Sequence, residues 1–192
     1  MTEFGSYFRL GMEHISDLSA YDHIVFLMAL VAVYSLRNWK HVVILVTAFT
    51  LGHSVTLALA ALGYIPIRVE LIEFLIPVTI FVTAVYNLWP DKGGRHFKLK
   101  YLIAFVFGLV HGVGFSNFFR TLLGSQADIV SPLLAFNLGV ELGQLVIVMV
   151  ALAASYFVVD RWRLLNRRDW TVLLSGAAMG IALILMQETA FW

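Results

Sequence analysis

Six apolar stretches, each close to the length of a bilayer crossing and separated by short turn-rich connections, constrain this chain more than any other feature. They run from about Tyr21 to Leu36, His41 to Gly63, Ile67 to Trp89, Leu99 to Phe119, Ser131 to Val159 and Trp170 to Met186. A helix rises about 1.5 Å per residue and needs roughly 20 apolar residues to cross the hydrocarbon core. The first stretch is short unless Leu18 to Ala20 join it, so its outer end is where irregularity is expected. Gly63 to Pro66, Pro90 to Arg95, Gly124 to Asp128 before Pro132, and Asp160 to Asp169 supply the turns. Backbone in lipid has no water to bond, so these stretches read as an all-α polytopic membrane bundle of six transmembrane helices. Composition agrees: 60% of the residues are hydrophobic and 13% charged, against about 25% charged in a soluble domain.

Residues 1–20 carry Glu3, Arg9, Glu13 and Asp17 and no apolar run of signal-peptide length, so they read as an outer interfacial segment of the mature chain. Residues 21–192 form one transmembrane domain. Arg37, Lys40, Lys92, Arg95, Lys98, Lys100, Arg161, Arg163, Arg167 and Arg168 fall in one set of connections; Arg9, Arg68 and Arg120 fall on the other side. Ten against three places both termini outside a bacterial-type inner membrane. Trp39, Trp89, Trp162 and Trp170 then sit at the cytoplasmic interface. A formal charge of +1, with no basic run interleaved with aromatics, gives no reason to expect nucleic acid. The absence of cysteine excludes disulfides, thiolate ligands and cysteine nucleophiles. Phe49–His53 and Phe107–His111 share three of five positions, too few to establish a repeat.

An ionisable side chain near the centre of a span costs about 2.5–3.5 kcal/mol and needs a partner, a cavity or a function. Asp22 and His23 begin the first span, His53 lies about ten residues from the outer end of the second, and Glu70 and Glu73 open the third. His111 lies past the middle of the fourth, and Glu141 is about ten residues into the fifth. All fall in the outer half of the membrane or near its midplane. Asn137, Glu141 and Gln144 form one helical stripe; Thr47, Thr50, His53 and Ser54 form another. Gly52, Gly108, Gly112 and Gly114 flank the histidines and permit close helix approach. Imidazoles and carboxylates gathered at one depth suit a divalent transition metal: nickel, cobalt, zinc, iron or manganese.

Each residue alone has a plainer reading. His53 or His111 serves as an interhelical hydrogen-bonding group, Glu70 and Glu73 as interfacial residues, the Asn137 stripe as helix glue, and His14 and Asp17 as solvated groups. His41 and His96 flank span ends. The shared depth of the set, not any single member, points to function.

The strings GMEHISDLSAYDHIVFLMAL (11–30), TAFTLGHSVTLALAALG (47–63), VELIEFLIPVTIFVTAVYNL (69–88), FGLVHGVGF (107–115) and FNLGVELGQL (136–145) resemble the HupE/UreJ family. These are small bacterial membrane proteins associated with hydrogenase and urease accessory systems and regarded as candidate nickel or cobalt permeases. The resemblance assigns the family's histidine and Asp-His positions to His14, Asp22 and His23, its second-span histidine-serine to His53 and Ser54, and its HGxGF motif to His111, Gly112, Gly114 and Phe115. Its fifth-span positions fall on Asn137, Glu141 and Gln144. The opening motif departs from the family's pattern: His14 precedes Asp22 by eight residues where six is usual, and Ala20 stands where glycine is expected.

The leading expectation is a permease binding nickel, cobalt or zinc through His14, Asp22, His23, His53, His111 and Glu141. Ser54, Glu70, Glu73, Asn137 and Gln144 support the site, and Glu3, Glu13, Asp17 and Asp128 make an acidic entrance. Its partners are the metal ion and membrane lipid, and six helices are few enough for alternating access to leave room for a homo-oligomer. The rival is an intramembrane zinc hydrolase cleaving a lipid amide or ester, with Ser54, Asp22 and Glu141 as polar partners. A third reading, an inert assembly subunit, expects no bound metal.

Overall fold

A computed structural model describes residues 2–18, 21–65, 68–89, 97–124 and 129–191, and among them every regular element is helical. The helices are α1 (Glu3–Ser16), α2 (Asp22–Val31), α3 (Trp39–Ala61, entered through a 3-10 turn at Leu36–Asn38), α4 (Val69–Leu88), α5 (Phe97–Gly114), α6 (Ser116–Leu123), α7 (Val130–Ser155, continued by a π-turn at Tyr156–Arg161) and α8 (Arg167–Glu188). Ala20, Lys92, Arg95, His96 and Asp128 lie outside the described residues, as do most of the Pro90 to Arg95 and Gly124 to Asp128 turns.

Local chemistry sets several ends. Thr2 Oγ1 accepts the Gly5 N–H at the start of α1, and the Asn166 side chain accepts the Asp169 N–H at 2.8 Å at the start of α8. At the end of α3, Tyr64 N–H bonds to Leu59 O and Gly63 N–H to Ala60 O, a Schellman closure. It needs the left-handed backbone of Gly63, φ 80°.

Among the described residues four helices are long and apolar enough to cross a membrane: Leu36–Ala61, Val69–Leu88, Val130–Arg161 and Arg167–Glu188. They match the second, third, fifth and sixth apolar stretches. The other two stretches are not single straight spans. The fourth bends by 52° at Phe115, between α5 and α6, just past the helix-weakening run Gly112-Val-Gly114. The first yields only the ten-residue α2. Its apolar run is interrupted because Ser35 pairs with Asn38 to open the next helix, the Ser35 hydroxyl donating at 2.9 Å.

A helix ending inside a bundle leaves carbonyls that lipid cannot satisfy. Side chains from neighbouring helices bond those at the end of α2. Asn87 of α4 donates to Ala29 O at 2.7 Å, Thr171 of α8 to Ala32 O at 3.1 Å, and Arg167 to Tyr34 O at 3.1 Å. Arg167 also reaches Ser155 Oγ at 2.6 Å and Asp160, tying the ends of α2 and α7 to the start of α8. At the opposite end of the bundle, Phe74 of α4 packs on Phe191 beyond α8, and Ala61, Leu123 and Ile129 line one cleft.

Two glycine seams hold the centre. A Cβ added at Gly11 would collide with the Phe136 carbonyl oxygen, and one at Gly139 with that of Phe8, so α1 and α7 touch backbone to backbone. The same reciprocity joins α3 and α5, where Gly52 meets Phe105 O and Gly108 meets Phe49 O. Both pairs are parallel within themselves. The α1/α7 pair runs from the Glu3 end, and the α3/α5 pair runs back towards it. Phe-x-x-Gly recurs at each contact: Phe8–Gly11, Phe49–Gly52, Phe105–Gly108 and Phe136–Gly139. In α1 and α5 the unit extends to Phe-x-x-Gly-x-x-His, ending at His14 and His111, and each helix stops within four residues of its histidine. The seams thus form an inverted pair, and the two interrupted helices meet between them.

Candidate metal centre

Each histidine of the centre is placed by a feature of its own helix. His14 and His111 follow their seam glycines by three residues, His53 follows Gly52 directly, and His23 lies in the first turn of α2. The rings, on α1, α2, α3 and α5, form a string. The His14 and His23 centroids are 4.8 Å apart, His23 and His111 5.4 Å, and His14 and His53 6.2 Å. Phenylalanines enclose them: Phe115 lies 3.9 Å from His14, Phe26 and Phe49 each lie 5.0 Å from His111, and Phe136 lies 6.4 Å from His53. His53 and His111 are each 1% exposed, so water is largely excluded.

Polar side chains back two of the rings. Thr79 Oγ1 of α4 lies 2.7 Å from Ile76 O and 2.9 Å from His111 Nε2. Where the hydroxyl proton goes to Ile76 O, the oxygen accepts from His111 Nε2–H. His111 Nδ1 is buried and without a partner. Asp22 Oδ1 lies 3.1 Å from His23 Nδ1, and His23 Nε2 is buried and without a partner as well. A carboxylate or hydroxyl behind an imidazole is the arrangement that orients a metal-binding ring. His14 Nε2 and both ring nitrogens of His53 are also buried without a well-formed hydrogen bond, the Asn137 side chain of α7 standing beside the His53 ring. Buried polar atoms are ordinarily satisfied, so five unmet ring nitrogens on four neighbouring rings are a concentrated unfilled demand. The rings stand as a string rather than a closed shell. Among the described residues no three His, Asp or Glu side chains are grouped to hold a metal ion.

The other sequence-marked residues divide. Glu141 Oε1 accepts the Thr47 hydroxyl at 2.6 Å, with Oε2 buried and unpartnered. Gln144 contacts Thr50, and Asn137 donates to Leu133 O. Ser54 donates to Thr50 O within its own helix, and Glu70 and Glu73 are exposed in the first turns of α4. Sequence reasoning passed over Thr79 and Phe26. Threonine is common in spans, and only its register opposite His111 distinguishes Thr79. From the bundle surface an open cleft of about 610 Å³ leads to His14, lined by Leu10, Glu13, Asp17, Phe115 and Phe118. Of the two carboxylates along it, Glu13 is paired with Arg9 at 2.6 Å.

A family model described as HupE / UreJ protein matches residues 1–192. No curated protein and no solved structure matches the chain.

Proposed function

The chain belongs to the HupE/UreJ family, a family of membrane nickel/cobalt accessory or transport proteins, and from that premise we propose that it carries a divalent transition metal ion across the membrane. The ion binds through His14, His23, His53 and His111, with Asp22 and Thr79 holding their rings. The single observation that carries this reading is the set of buried, partnerless ring nitrogens, two of them on rings backed by Asp22 and Thr79. Neutral imidazole suits nickel, cobalt and zinc, and the family favours the first two. On this reading the rings of His14 and His53 turn to face the other two around the ion.

Taken as one interrupted pass, α1 and α2 bring the crossings to six, with α5 and α6 as the second interrupted pass. Inverted helix pairs with discontinuous helices meeting at the site are a recurring secondary-transporter design. The basic residues of the Trp39 end orient the carboxylate-rimmed cleft outward, with both termini outside. The zinc-hydrolase alternative draws no support from the family.

Uptake of radiolabelled nickel or cobalt into proteoliposomes tests the reading. The native chain fills the vesicles, and His53→Ala and His111→Ala each reduce the rate about 10-fold or more. Uptake at the protein-free rate by well-folded native protein contradicts it.

A further inference from the structure

One cleft of the bundle plays no part in the metal centre. At the Trp39 end a narrow slot of about 70 Å³ runs between α4 and α5, beside the end of α2. On α5 it is lined by Lys100, Ile103, Ala104 and Phe107, a single helix face with about 10 Å of rise. Leu45 and Ala104, each 1% exposed, close its floor, and Val82 and Tyr86 of α4, 46% and 40% exposed, stand at its lip. The slot thus opens sideways, between two helices whose outer faces meet lipid.

Its polar wall residues turn their donors elsewhere. Thr83 donates its hydroxyl to Thr79 O at 2.8 Å, and Asn87 donates to Ala29 O at 2.7 Å and to Ser175 Oγ at 3.2 Å. Little remains in the slot to hold water, which needs several polar partners to stay in a cavity. The exception is a charge at one end. Lys100 Nζ lies 5.7 Å from the centre of the Tyr34 ring and 5.9 Å from that of Tyr86, within range of a cation–π contact with both. Lys100 is in the first turn of α5 and Tyr86 in the last turn of α4, so the ammonium stands where the spans end. A fixed positive charge there makes the slot a poor route for a metal ion.

We propose that this slot holds one acyl chain of an anionic phospholipid whose phosphate lies on Lys100. A narrow apolar slot suits a single hydrocarbon chain, its lateral opening gives that chain entry from the bilayer, and the ammonium sits at headgroup depth, where a basic pocket between spans recognises an anionic lipid. Lys98 is exposed and does not line the slot, so it adds to the general attraction of this end for anionic lipid without belonging to the site. A chain seated there packs on Leu30 at the end of α2 and on the α4 face that carries Asn87, and so stabilises the fold. The site stands independently of the transport reading above.

Thermal unfolding of the full chain, purified and delipidated in an uncharged maltoside detergent, tests the site. Dioleoyl phosphatidylglycerol raises the midpoint saturably, by about 5 °C, and dioleoyl phosphatidylcholine at the same mole fraction raises it by less than about half as much. The rise is lost in Lys100→Met, which keeps an unbranched chain without the charge, and in Val82→Phe, which fills the lip of the slot. It is kept in Lys98→Met. Native mass spectrometry of the same samples shows phosphatidylglycerol retained by the native chain and by Lys98→Met and lost from Lys100→Met. Equal responses to the two lipids, or equal losses in Lys98→Met and Lys100→Met, as for a loosely held lipid shell, overturn the site. So does a rise produced by inorganic phosphate alone, which needs no acyl chain. A rise that survives in folded Val82→Phe overturns it as well, whether or not Lys100→Met folds.

Discussion

Thr79 Oγ1 stands between Ile76 O and His111 Nε2, so a hydroxyl that donates to the carbonyl accepts from the ring and turns Nδ1 toward the centre as a lone pair. Thr79→Val keeps the volume and removes the acceptor. The expected result is nickel or cobalt affinity about 10- to 100-fold weaker, with little change in melting temperature, and recovery in Thr79→Ser. Isothermal titration calorimetry checks it, and affinity unchanged in Thr79→Val shows that the hydroxyl does not set the ring. The histidines were legible in the sequence because an imidazole in a span is costly wherever it goes. Their partner was not, because a threonine satisfies itself against its own helix and leaves no trace in composition. Glu70 and Glu73 show the converse: charge at a span end marks depth, and the first turns of α4 expose both.

The glycine seams govern how closely the helices carrying the histidines approach. Without a hydrophobic drive between helices in lipid, association rests on van der Waals contact and interhelical hydrogen bonds, and small residues make the contact close. Gly108→Ala and Gly139→Ala force backbone carbonyls apart and are expected to destabilise by about 1–3 kcal/mol or more. Gly176→Ala and Gly180→Ala on α8, where an added Cβ meets nothing within 4 Å, are expected to stay within about 0.5 kcal/mol. Thermal unfolding of the four variants checks the contrast, and equal effects in all four contradict the seams. The four long spans were legible from apolar length alone. The early end of α2 was less so, because its closing carbonyls are met by distant donors, Asn87, Thr171 and Arg167, that the local sequence does not announce. The Phe-x-x-Gly units show the same limit: four short matches carry little weight until the backbone contacts pair them.

At the scale of the molecule, two parallel helix pairs of opposite direction flank a phenylalanine-walled cluster of rings in which five imidazole nitrogens lack partners. The surrounding helices serve that cluster. α4 supplies Thr79, α2 supplies Asp22 and His23, and α8 braces the short α2 from the far side. Such an arrangement buries the ligands away from solvent, so an ion that sheds its water finds several nitrogens already desolvated. X-ray absorption at the nickel edge of the loaded, detergent-purified protein reads this coordination directly. The expected spectrum shows about four nitrogen scatterers with the outer-shell pattern of imidazole rings, reduced by one ring in His23→Ala and in His111→Ala. A nickel ion surrounded by oxygen alone, with no imidazole pattern in the native chain, would contradict the histidine centre.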